Sequence, residues 1–118
     1  MKLDRLAPML QTKNLRETIE FYTRVLGFEC VESNEEWCAL AHGPVNLMFA
    51  VSNENPTEKL GFTGSFYFYP ENVDELWEEL KEKTNLAYGI DDFEYGMREF
   101  AIYDNNGYLL RFGNVIKS

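Results

Sequence analysis

One helix-start signature occurs twice in this chain, and that repetition limits the fold more than any single segment. Asn14-Leu15-Arg16-Glu17 sets a capping side chain ahead of an apolar helical face, and Asn72-Val73-Asp74-Glu75 repeats the arrangement 58 positions on, from 14 to 72. Asn followed three residues later by Glu reads as a helix N-terminus in capping-box style. In a chain of 118 residues such a period is half the length, so the chain reads as two copies of one supersecondary unit.

Each copy spells the same order. Leu6 to Thr12 reads as a strand, with Pro8 placing it at a sheet edge or bending it, because proline cannot donate to a ladder. Leu15, Ile19, Tyr22 and Leu26 recur at helical spacing, and Gly27 stands where a left-handed C-cap would fall, so a helix is expected over about Leu15 to Leu26. Phe28 to Glu32, Trp37 to Ala41 and Val45 to Val51 read as strands, broken by Ser33–Glu36 and by Gly43-Pro44. Ser52 to Lys59 is polar, carries Pro56 and reads as a linker. The second copy runs from a strand at Gly64 to Tyr69, through a helix with Val73, Leu76, Trp77 and Leu80 on one face, to a short strand at Leu86 to Tyr88. A loop over Gly89 to Glu94 follows. A closing hairpin then spans Tyr95 to Gly113, turning at Asp104-Asn105-Asn106-Gly107, where Asn106-Gly107 accepts positive φ cheaply. The expected fold class is α+β, built as two βαβββ repeats. The expected organisation is a single domain over 1–118, with repeats over about 5–52 and 60–115.

Charge narrows the partners. Eleven Lys and Arg stand against 20 Asp and Glu, a formal net of −9, which disfavours nucleic acid and anionic membranes, since both need clustered cations. The excess acid suits a cationic ligand or simply a soluble acidic protein. No signal peptide or membrane span is read behind the N-terminus. Cys30 and Cys38 form no Cys-x-x-Cys pair, no disulfide is expected, and a reducing, cytoplasmic setting follows. Aromatics make up 15% of the chain and fill either a core or a site.

Specific runs carry a family resemblance: Ala7-Pro8-Met9-Leu10-Gln11-Thr12-Lys13-Asn14-Leu15, Ile19-Glu20-Phe21-Tyr22, Val25-Leu26-Gly27-Phe28, Asn72-Val73-Asp74-Glu75-Leu76-Trp77, and Arg98-Glu99-Phe100-Ala101-Ile102 leading to Asp104-Asn105-Asn106-Gly107. The chain resembles the vicinal-oxygen-chelate superfamily of glyoxalase I and the extradiol dioxygenases, and within it the bleomycin resistance proteins. The resemblance implies that the repeats form a curved mixed sheet with a cleft, and that the protein is an arm-exchanged homodimer with two clefts at its interface, the arm hinging at Pro8. The bare reading of Pro8 as an edge-strand breaker stays open beside it.

The resemblance also implies where a metal would sit. The superfamily's enzymes draw His or Gln, Glu, His and Glu from four strands, and the matching positions here are Ala7, Met48, Ser65 and Arg111. Three offer no usable ligand and the fourth is a cation. The chain's one histidine, His42, precedes a Gly-Pro turn and reads as a surface residue, so no metal, cofactor or catalytic set is assigned. That points away from an enzyme and towards the resistance branch, whose members bind without reacting.

Strand alternation groups the cleft residues. Asn46, Met48 and Ala50 share a face, as do Ser65, Tyr67 and Tyr69, and Leu109 with Arg111. Leu47, Phe49, Phe66, Phe68, Leu110 and Phe112 fall on the opposite, core side. Trp37 and Tyr95 match the rings that the resistance proteins use to sandwich a flat drug moiety, Tyr95 standing where Trp is typical. Core of a dimer interface is the competing reading for both. The expected ligand-binding set is Trp37, Asn46, Met48, Tyr67, Tyr69, Tyr95 and Arg111. The expected function is metal-free sequestration of a flat, cationic antibiotic of bleomycin type or a similar metabolite. The alternative is a glyoxalase- or dioxygenase-type lyase or oxygenase acting on a small substrate.

Overall fold

Both Asn caps form. In the computed structural model, which describes residues 1–52 and 58–117, the Asn14 side chain accepts from the Glu17 N–H at 2.9 Å and Asn72 from the Glu75 N–H at 3.2 Å. The first cap departs from a full capping box: the Asn14 N–H donates to Thr12 Oγ1 at 3.1 Å instead of to Glu17. Each cap opens a short helix, α1 over Leu15–Glu20 and α2 over Val73–Leu80. The chain divides into two compact units, Met1–Leu60 and Gly61–Ser118.

In the first unit the strands are β1 (Met9–Thr12), β2 (Glu29–Ser33), β3 (Trp37–His42) and β4 (Val45–Val51), in the order β1-β4-β3-β2. β1 pairs parallel with β4 and the other pairs are antiparallel. The first strand is shorter than expected from Leu6, but Pro8 still contributes its carbonyl, which accepts from the Met48 N–H at 2.9 Å. β1 is an edge strand, the place a proline tolerates.

The first helix also stops being α sooner than its apolar spacing predicts. From Phe21 to Val25 it widens into a π turn. Thr23 Oγ1 donates to the Ile19 carbonyl at 2.7 Å there, a side-chain bond that competes with the backbone ladder. The helix closes as expected: Gly27 has φ 75°, and the Phe28 N–H reaches back to the Tyr22 carbonyl at 2.8 Å. The buried face is Leu15, Thr18 and Tyr22, with Ile19 half-buried. Tyr22 packs on Phe28 and Phe49, while Cys38, Leu40, Leu47 and Phe49 complete the core. His42 is exposed. Cys30 and Cys38 are free thiols, and burial, then the nearby Cys30 charge, pushes Cys38 up to about 11.

The linker expected over Ser52 to Lys59 lies largely outside the described residues. Ser52 itself donates its N–H to the Thr12 carbonyl at 2.8 Å.

The second unit repeats the topology with β5 (Phe66–Phe68), β6 (Asn85–Asp92), β7 (Met97–Tyr103) and β8 (Leu109–Val115), in the order β5-β8-β7-β6, β5 and β8 being parallel. β5 is shorter than Gly64 to Tyr69. β6 is longer than expected, taking in most of the supposed loop over Gly89 to Glu94. It does so with register shifts between Leu86 and Tyr88 and between Tyr88 and Asp91, bulges that let a strand continue past a glycine. The closing hairpin turns through Asp104, whose side chain accepts from the Asn106 and Tyr108 N–H groups at 2.8 and 2.9 Å. Within the Asp104–Gly107 turn it is Gly107 that carries positive φ, at 90°. α2 packs on β7 and β8, burying Leu80 and Val73, while Trp77 lies on Phe100 and Phe100 stacks on Phe112. Among the described residues no helix is long and apolar enough to cross a membrane.

Candidate functional site

The alternation that sends Phe100, Ile102, Leu110 and Phe112 into the core sends Glu99, Ala101 and Arg111 to the other face of the second sheet. Arg98 shares the Phe100 face of β7 and reaches Asp74 of α2 and Asp92, each at 3.0 Å, so Glu99 lies on the opposite face. Glu99 is 0% exposed. A buried carboxylate needs partners, and it has several. The Tyr67 hydroxyl donates to Oε1 at 2.8 Å, the Tyr88 hydroxyl donates to Oε2, and Arg111 Nη1 stands 3.8 Å from Oε2. Arg111 is held from its far side by Nε donating to Ser65 Oγ at 3.0 Å.

Gly113 makes this possible. It pairs across the ladder with Glu99, and a Cβ on it would fall on the Tyr67 hydroxyl and within 2.9 Å of the Glu99 Cβ.

The electrostatics follow from the contacts. Burial pushes Glu99 up, but hydrogen bonds from Tyr88, Tyr95 and Tyr67 and the Arg111 charge outweigh it and hold the carboxyl below its ordinary range. Tyr67 and Tyr88 move upward, first through burial and then because each donates to an anion. Tyr95 moves the same way for the same causes. A carboxylate held low is a poor general base, so this cluster is built to hold a charge in place.

Around it lie exposed aromatic rings. Tyr69, 74% exposed, sits 5.0 Å from Tyr67 by ring centroids, and Tyr95, 58% exposed, stacks on Phe93 at 5.6 Å. In the first unit, a cavity of about 190 Å³ gathers Trp37, Asn46 and Met48 with Ala7, Arg5 and Glu32. Four of the expected site residues, Tyr67, Tyr69, Tyr95 and Arg111, thus belong to one cluster, and Trp37, Asn46 and Met48 to another.

A sequence profile of the Glyoxalase/Bleomycin resistance protein/Dioxygenase superfamily matches residues 2–112. The chain belongs to this superfamily. Among curated proteins none matches the sequence significantly. Solved structures share the superfamily fold. A protein of unknown function from Agrobacterium tumefaciens is 17% identical, with 98% of this chain and 97% of that one covered and a TM-score of 0.81. A glyoxalase/bleomycin resistance protein/dioxygenase from Alicyclobacillus acidocaldarius is 17% identical, covering 97% and 92%, with a TM-score of 0.80. The bleomycin-binding protein of bleomycin-producing Streptomyces verticillus, solved with copper(II)-bleomycin, is 20% identical, covering 95% and 96%, with a TM-score of 0.75.

The positions where superfamily enzymes hold their metal can be tested against these contacts. They meet in pairs: Ala7 and Met48 line the first-unit cavity, and Ser65 is bonded to Arg111 in the second unit. A methyl, a thioether, a hydroxyl and a permanent cation do not fit a divalent ion. The carboxylate beside Arg111, Glu99, is already taken by two tyrosines and Arg111. Among the described residues no group of three or more His, Cys, Asp or Glu could hold a metal.

Sequence reasoning missed Glu99, Tyr88 and Gly113 as parts of this site. A signal existed for Glu99: it stands two residues before Ala101, which pairs with Arg111, one of the expected site residues, and therefore shares its face.

Proposed function

We propose that this superfamily member is a binding protein that sequesters a flat, cationic antibiotic of bleomycin type, or a similar metabolite, without converting it. The observation that carries the reading is the Ser65–Arg111–Glu99 chain of contacts, in which two of the four positions that the resemblance implies for metal ligands hold a hydroxyl and a cation set against a buried carboxylate. The exposed rings of Tyr69 and Tyr95 and the half-buried Trp37 support it, since stacking on two rings contributes about 1–3 kcal/mol beyond area burial. The net charge of −9 would steer a cationic drug inward. The fold likeness to the Streptomyces verticillus protein makes bleomycin the first compound to try. The reading includes a cytoplasmic homodimer with an exchanged N-terminal arm and a cleft at its interface. Leu3, Leu6 and Met9, all exposed in the single chain, are apolar groups such an exchange would cover.

Titration of the intrinsic fluorescence with bleomycin, copper(II)-bleomycin and other planar cations tests it. Saturation at one or two ligands per dimer, with the compound recovered chemically unchanged, is expected. A recovered compound that has been altered, or stoichiometric nickel, zinc, iron or manganese in the purified protein, would favour a lyase or oxygenase instead.

A further inference from the structure

Glu99 cannot be the group that greets a ligand's positive charge. It is buried, and the Tyr67 and Tyr88 hydroxyls and Arg111 already spread its charge. Arg111 is differently placed. Its side chain is 36% exposed. Of five N–H donors, one goes to Ser65, and the Tyr95 hydroxyl engages the guanidinium. Glu99 Oε2, at 3.8 Å from Nη1, lies beyond hydrogen-bond distance. Donors therefore remain on a part-exposed, planar cation whose orientation is set on one side by Ser65 and on the other by a buried anion. The exposed rings of Tyr69 and Tyr95 belong to the same unit.

We propose that Arg111 is the polar anchor of the site and takes a carboxylate or comparable planar oxyanion of the ligand, the ligand's ring lying against Tyr69 and Tyr95. This rests on the reading of the protein as a binder of flat molecules and adds the chemistry of the contacting head group. A guanidinium fork matches two coplanar oxygens, and a point cation does not. The protein's overall acidity acts over a Debye length and Arg111 acts at contact, so a ligand with a cationic tail and an oxyanion head satisfies both. Glu99 is then a positioning residue for Arg111.

One ring carrying three head groups provides the test: 2-naphthoate, 2-naphthamide and 2-naphthylmethylammonium, titrated against the wild-type protein and Arg111→Met. The wild type is expected to bind the carboxylate about tenfold more tightly than the amide, with the ammonium weakest. Arg111→Met is expected to remove that order, and Arg111→Lys to restore part of it. Equal binding of the three head groups by the wild type, or preference for the ammonium, overturns the proposal even if Arg111→Met fails to fold. If the naphthyl compounds do not bind while planar cationic drugs do, the binding reading stands and this proposal falls. If no planar compound binds, both fall.

Discussion

Gly113 lies directly opposite Glu99 on the β7–β8 ladder, and the Tyr67 hydroxyl reaches Glu99 through the space that a side chain at Gly113 would fill. The close approach concerns room and not backbone freedom, since Gly113 is not among the residues with positive φ. Gly113→Ala should therefore force Tyr67 away from Glu99 and cost about 1–3 kcal/mol, the usual range for overpacking. Urea unfolding checks this, and an unchanged midpoint would show that the tyrosine has a second route to the carboxylate.

Glu99 makes stability depend on acid. Its folded-state pKa lies below the ordinary 4.5, so the unfolded chain binds the proton more readily. The stability it contributes is complete above 4.5 and is lost as the pH falls through the lower, folded value. Glu99→Gln, which cannot ionise, should be destabilised by about 1–3 kcal/mol at neutral pH. The gap between it and wild type should narrow below pH 4.5, as read from urea midpoints at several pH values.

At the alkaline end the sign reverses. Tyr67 and Tyr88 ionise above the ordinary 10, because burial and donation to Glu99 favour the neutral phenol. The stability they add is complete below 10 and fades as the pH rises through their folded values. Ultraviolet titration of the folded protein should show a late-ionising fraction that shrinks in Tyr67→Phe. A spectrum in which all tyrosines titrate together near 10 would contradict the cluster.

Trp37 lines the first-unit cavity, and the other tryptophan, Trp77, packs on Phe100 beneath α2. If the protein captures planar ligands as proposed, Trp37→Ala should weaken them by about tenfold. Trp77→Phe should leave affinity intact. Fluorescence of the two single-tryptophan variants separates the signals, and quenching confined to Trp77 would move the ligand elsewhere.

Asn114 joins β8 to the start of α2: its side chain accepts from the Val73 N–H at 2.7 Å and donates to the Pro70 carbonyl at 2.6 Å. Asn114→Ala should cost about 1–3 kcal/mol, with the helix start exposed to hydrogen exchange before the rest of the unit. Uniform exchange would argue that the Asn72 cap alone holds the helix.

Much of the fold is legible because it is written in short-range terms. Asn14 and Asn72 announce their helices through bonds spanning three residues, and Gly27 ends the first helix through its own φ. Period-two alternation separates Leu47 and Phe49 from Met48, and Leu110 and Phe112 from Arg111. It misses the π turn at Phe21–Val25, where the Thr23 hydroxyl overrides the apolar spacing, and the length of β6, where bulges carry the strand past Gly89.

Residue order alone is thus enough for the two βαβββ units, their superfamily and the poor match to a metal. Each depends on neighbours a few positions apart, or on which residue types are present at all. The site itself needed the folded chain. Tyr67 and Glu99 are separated by 32 positions and Ser65 and Arg111 by 46. Whether such groups meet depends on strand register and on the space left at Gly113, which arise only when the sheet is assembled.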